Sequence, residues 1–110
     1  MGDRAQVHIK DEKVWLYTHW NGYKLVEQVQ EALSRGKERW DDSEYLARII
    51  FDHMVGNDQG GLAGFGISGN GKHGDVFLVI EIDCENQKVI VRNGEETTSN
   101  ETFSEFVINH

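Results

Sequence analysis

The chain opens on an alternation. Ala5–Lys10 (AQVHIK) sets Ala, Val and Ile at every second position, the period of a half-buried strand. A polar turn, Asp11-Glu12-Lys13, separates it from Val14–His19 (VWLYTH), which completes a hairpin. The period then changes. Leu25, Val26, Val29, Ala32 and Leu33 form one helical stripe, with Glu27, Gln28, Gln30 and Glu31 mostly opposite. Asn21 is the expected N-cap and Gly36 the expected stop. A second helix follows with a wider stripe of Tyr45, Leu46, Ile49, Ile50, His53 and Met54, extended by Ala47, Phe51 and Val55. Its start reads as a capping box, Asp41 with Glu44, and a staple of Trp40 on Tyr45. Trp20-Asn21…Leu25 repeats that arrangement, and the wider stripe makes the second helix the more buried of the two.

Strand periodicity then returns. Leu62–Ile67 suits a Gly-rich strand, Asp75–Asp83 (DVFLVIEID) a central strand with an almost continuous apolar run, and Lys88–Arg92 (KVIVR) its neighbour. Asn93-Gly94 marks a tight turn, with room for a short polar strand after it. Thr102 with Glu105 forms a capping box ahead of Phe103, Phe106 and Val107, predicting a short last helix. The order β-β-α-α-β-β-β-α, with strands and helices in runs, indicates an α+β domain spanning residues 1–110. Its expected form is a mainly antiparallel sheet of about five strands with two main helices packed on one face.

Composition narrows the classes. The 110 residues hold no proline and one cysteine, Cys84, so no intramolecular disulfide forms and a reducing, cytoplasmic setting is the simplest expectation. No apolar run approaches the length of a membrane span. The charged MGDRAQ start is not expected to act as a secretory signal, and Gln6 stands where myristoylation favours Ser or Thr, so no acyl anchor is expected. The net charge of −8 is uneven: residues 1–40 carry seven Lys/Arg and six Asp/Glu, a net of +1, while residues 41–110 carry four and thirteen, a net of −9. Nonspecific nucleic-acid binding, which needs cations to displace condensed counterions, is not expected. A basic partner surface suits the acidic half.

The chemistry-bearing residues are scattered. Gly64–Gly69 and Gly69–Gly74 each fit GxGxxG, and Gly66 to Lys72 fits GxxxxGK, but the run leads into a strand rather than a helix, and His73 replaces the metal-binding Ser/Thr. A flexible hairpin loop, with a Gly-rich strand beside a close-packed helix, is the expected structure. The five histidines, His8, His19, His53, His73 and His110, show no paired ligand spacing, so neither a metal nor another cofactor is expected; His8 and His19 are candidates to face each other across the first hairpin. Cys84 lacks a neighbouring cation to activate its thiol. Asp41-Asp42 reads as cap and dipole partner rather than an acid pair. Trp15 and Tyr17 share one face of the second strand and are expected to face the helices as core, leaving Leu16 outside; on the face opposite the helices they would instead form an exposed aromatic patch able to bind a partner or a ligand ring. The candidate binding residues are therefore Thr18, His19 and Trp20, the cations Lys37 and Arg39 with Trp40 near helix N-termini, and Phe65, Ser68, Lys72 and His73 of the Gly-rich segment.

The segments MGDRA, WLYTHW, ERWDDSEYLARIIFDHMV and GFGIS, in this order and spacing, resemble a group of small proteins encoded by phages, prophages and plasmids. The resemblance covers roughly residues 1–83 and brings no catalytic residues with it. It implies an accessory protein of a mobile element. With the absent catalytic motif, it makes the leading expectation a non-enzymatic binding protein that engages a host protein, as in anti-defence. The second expectation is a protein that sequesters a small anionic nucleotide signal, as a homodimer; the third is a hydrolase or metal enzyme.

Overall fold

A computed structural model describes residues 4–19, 22–56, 64–69, 78–94 and 96–109. Six strands form one sheet: β1 (Ala5–Ile9), β2 (Val14–Thr18), β3 (Phe65–Ser68), β4 (Leu78–Asp83), β5 (Lys88–Asn93) and β6 (Glu96–Thr102). Three helices accompany it: α1 (Leu25–Arg35), α2 (Ser43–Val55) and α3 (Phe103–Asn109). The strand order is β3-β2-β1-β4-β5-β6, and β1 runs parallel to β4 while every other pair is antiparallel. The α+β class is as expected. The sheet has six strands rather than five and is mixed. The added strand, β6, reads ETTSNET; it has no apolar alternation to betray it because it is an edge strand.

The register separates two faces. Ala5, Val7 and Ile9 of β1 align with Thr18, Leu16 and Val14 of β2 and with Leu78, Ile80 and Ile82 of β4. Val91 and Val89 of β5 continue the rows. These side chains meet Leu25, Val29, Ala32 and Leu33 of α1, Leu46, Ile50 and Met54 of α2, and Phe103 and Phe106 of α3 in one core. The second residue set, Gln6, His8, Trp15, Tyr17, Val79, Glu81, Ile90 and Arg92, faces the opposite way. Strand two therefore lies in the phase opposite to expectation: Leu16 is core, and Trp15 and Tyr17 are only half-buried on the helix-free face.

α1, not α2, is the more buried helix. It touches both α2 and α3, and Gln30 Nε2 donates to the Val107 carbonyl at 2.8 Å. α2 has a wider apolar stripe but leaves Tyr45 exposed. Its cap is Asp42 rather than Asp41, with the Asp42 carboxylate accepting from Tyr45 N–H. Moving the cap by one residue dissolves the expected staple. Trp40 turns into the helix layer, donating from Nε1 to the Leu33 carbonyl at 2.9 Å and meeting Phe103 edge-on at 5.3 Å. Asp41 accepts instead from Gln87 Nε2.

α1 begins from a 3₁₀ turn, Gly22–Lys24, without a side-chain cap; the expected cap Asn21 lies outside the described residues. Gly36 ends α1 at φ −94°, so its value is room: a Cβ there would sit 3.1 Å from the Ala32 carbonyl oxygen and 3.3 Å from Leu46 Cδ1. α3 starts as expected, with Thr102 N–H donating to Glu105 and Glu105 N–H to the Thr102 hydroxyl.

Candidate functional site on the helix-free sheet face

The second face, on which no helix lies among the described residues, carries two rows of rings and charges. In the first, His8 on β1 lies directly opposite Trp15 on β2, and the rings stack at 4.1 Å with 7° between planes. On its other side His8 Nδ1 is 3.4 Å from Glu81 Oε1 of β4, and Arg92 of β5 donates to the same oxygen at 3.4 Å. The second row is set by Arg4, just ahead of β1. Arg4 Nε donates to His19 Nδ1 at 3.2 Å, and the Tyr17 hydroxyl lies 3.1 Å from that nitrogen. His19 is anchored through its backbone N–H to the Gly64 carbonyl at 2.8 Å. His8 and His19 do not face each other, because the register sets Trp15 against His8.

The described residues of this face differ in charge from the chain as a whole. Among the described residues it carries Arg4, Lys10, Lys88 and Arg92 against Glu81 and Asp83, a surplus of two cations on a chain of net charge −8. Lys10 and Asp83 pair at 3.4 Å at the far end of the face. Burial pushes the Asp83 carboxyl up, but hydrogen bonds from the Asn86 side chain and backbone, with the Lys10 ammonium, outweigh it and hold the carboxyl below its ordinary value.

The expected site residues divide among several places. His19 and Ser68 belong to the helix-free face, Ser68 lying opposite Trp15. Thr18 is fully buried on the helix-covered face, and Phe65, its partner across β2 and β3, packs against the core. Lys37 and Arg39 are exposed on a 3₁₀ turn between α1 and α2, where the Arg39 guanidinium lies 4.6 Å from the centre of the Tyr45 ring. Trp40 is committed to Leu33 and Phe103. The α2 N-terminus beside these cations already holds a carboxylate, that of Asp42, so the position an incoming anion would take is filled by the chain itself. Trp20, Lys72 and His73 lie outside the described residues.

The first GxGxxG fragment, Gly64–Gly69, contains strand β3 paired with β2, not a turn opening a helix. Gly66 is not packed against a helix as expected: among the described residues no heavy atom lies within 4 Å of where its Cβ would be. Arg4, His8, Trp15, Tyr17, Glu81 and Arg92 were not among the expected binding residues. The signal for them lay in the polar positions of the first strand: a four-residue turn sets Leu16 against Val7, and hence Trp15 against His8.

The remaining chemistry is structural. Cys84 is buried and its thiol is pushed up to about 12, first by burial and then by the charge of Asp11, a hydrogen bond to it, and the charges of Asp83 and Glu12. Such a thiol stays protonated and unreactive near neutral pH. Asp11 uses its carboxylate to accept the Cys84 backbone N–H at 2.7 Å, tying the β1–β2 turn to the β4–β5 turn. His53 Nε2 sits 3.8 Å from Glu31 Oε2, between α2 and α1. Among the described residues no group of three or more His, Cys, Asp or Glu side chains is placed to hold a metal ion, and no helix is long and apolar enough to cross a membrane. In comparisons with protein-family models, curated proteins and solved structures, none matches this chain.

Proposed function

We propose that this protein works by non-covalent binding rather than catalysis, and that its recognition surface is the helix-free face of the sheet. One observation carries the reading: the fold covers one sheet face with three helices and leaves on the other a row of Trp, Tyr and His rings with arginines beside them. Half-buried aromatics held by neighbours supply contact area at low entropic cost, which is the composition of recognition surfaces. The resemblance of MGDRA, WLYTHW and RWDD to proteins of phages and plasmids supports a factor of the bacterial host as the partner, met in the reducing cytoplasm that a single cysteine suits.

The test is capture from a bacterial host lysate by the wild type, by Trp15→Ala, and by Ile108→Ala as an exposed control away from the face. Capture lost with Trp15→Ala and kept with Ile108→Ala is expected. Equal capture by all three overturns the reading. A second reading, sequestration of a small anionic ligand, draws on the same face, where among the described residues no heavy atom lies within 4 Å of the Gly66 Cβ position.

A further inference from the structure

The apolar row that the helices cover does not end buried. Register places Ile67 of β3 across from Leu16, and Leu16 across from Val7, so all three point to the helix side of the sheet. Leu16 is 2% exposed, yet Ile67 is 64% exposed, so burial is lost across a single strand spacing. A groove of about 310 Å³ opens there, between α2 and the strands β2 and β3. Its walls are mostly apolar: Val14 and Leu16 from β2, Ile67 from β3, and Ala47 and Phe51, one turn apart on α2. A large exposed aliphatic continuous with half-buried apolar neighbours marks a surface that meets another molecule.

Shape and charge together choose the occupant. The sheet is the floor of the groove and α2 is one wall, so a helix laid beside α2 would extend the layer that α1 and α2 already form. Ala47 lies between Glu44 and Phe51 on that wall, and its small side chain lets a neighbouring helix come close. A strand added beside β3 would lie in the plane of the sheet and leave the groove unfilled. The rim is acidic at the end where α2 begins: Glu44 is exposed in the first turn, and Glu12 accepts the Ser43 hydroxyl beside it. The third charged residue of the rim, Arg48, donates to Asp52 at 2.7 Å, so its charge is met within the chain. Two carboxylates remain, on a chain of net charge −8, and they suit cations on the incoming molecule.

We infer that this groove is a second docking surface, and that its occupant is an amphipathic helix of a partner protein, apolar at helical spacing and flanked by Lys or Arg. The groove lies on the side of the sheet opposite Trp15, so the inference does not depend on the binding role of the helix-free face.

The experiment titrates the full chain, followed by ¹⁵N–¹H spectra, with a synthetic peptide of about 15 residues, the length at which isolated helices begin to hold in water. The peptide carries Leu at i, i+3, i+4 and i+7 and Lys on its other faces. One control peptide has Glu in place of Lys, and a second has the same residues reordered so that the apolar stripe is broken. The amides of Ala47, Phe51 and Ile67 should shift together with the Lys peptide, and both controls should bind about tenfold more weakly or worse. Ile67→Lys sets a cation at an exposed position, so it should keep the melting temperature while weakening the Lys peptide about tenfold. Glu44→Lys should narrow the preference for the Lys peptide over the Glu peptide. Ile108→Lys, an equal change of charge at an exposed position on α3, and Trp15→Ala should each leave binding as it is. The inference is overturned if those three amides stay in place at near-millimolar peptide, if the reordered peptide binds equally, or if Ile67→Lys binds in full. Should Ile67→Lys fail to fold, Glu44→Lys decides, and an unchanged preference overturns the inference. A dimer in sedimentation that Ile67→Lys abolishes also overturns it, because the occupant is then a second copy of this chain.

Discussion

Two tryptophans on opposite sides of one sheet show what its two faces do. Trp40 lies in the helix layer, its indole N–H given to the Leu33 carbonyl and its ring set against the buried Phe103. Trp15 lies on the helix-free face, stacked on a histidine that a carboxylate holds from the other side. Both are well fixed, but Trp40 is fixed by the core and Trp15 by neighbours that are polar and part-exposed. The covered face spends its side chains on folding. The other carries rings and charges held by one another across the strands.

The sharpest way to test that division is to remove equivalent bulk from each side. Phe106 is fully buried, so Phe106→Ala should lower the unfolding free energy by about 3–5 kcal/mol in urea titration. Trp15→Ala removes a cross-strand stack and should cost about 1 kcal/mol or less. If the two losses prove equal, the helix-free face is a second core and the comparison breaks.

Asp83 sharpens the comparison from the polar end of the free face. Its carboxyl ionises below the ordinary value of 3.8, so its stabilising contribution is complete above that pH and is lost as pH falls through the lowered value. The stability gap between wild type and Asp83→Asn, read by denaturation at several pH values, should be constant from pH 5 to 7 and narrow below about pH 4. A gap that widens toward acid contradicts the assignment.

The smallest effect is expected at a turn belonging to neither face. Gln87 adopts φ 51°, as Lys13 adopts 56°, each the last residue of a four-residue hairpin turn. Relief of that left-handed strain outweighs the added unfolded-state freedom of glycine, so Gln87→Gly should raise the melting temperature slightly, by up to about 1 kcal/mol of stability. A lower melting temperature would place the role of Gln87 in its side-chain bond to Asp41 instead.

Much of the fold was legible in the order of apolar residues. The first hairpin, the α1 stripe, the β5 strand and the α3 capping box follow from local period and local chemistry. The face of β2 was not legible locally, because VWLYT is apolar in both phases: Val14 and Leu16 on one side, Trp15 and Tyr17 on the other. Only the partner strand decides, since β1 offers Val7 to one side and His8 to the other. The α2 cap shifted by one residue because Asp41 and Asp42 are equally able caps, and the tertiary bond from Gln87 engages the first. β6 was foreseen only as room for a short polar strand after Asn93-Gly94, because an edge strand with polar side chains has no period to show. The candidate site was the least legible part. Its groups come from the approach to β1 and from β1, β2, β4 and β5, which sheet order alone brings together. Of the expected binding residues that are described, His19 and Ser68 lie on that face.

One spectrum compares the two sides directly. In a ¹⁵N–¹H spectrum of the full chain, the indole N–H resonances of Trp15 and Trp40 report the helix-free face and the helix layer at once. On addition of a partner captured from host lysate, the Trp15 resonance should shift or broaden while that of Trp40 stays in place. Movement of Trp40 with Trp15 unchanged would put recognition on the helix side and contradict the account.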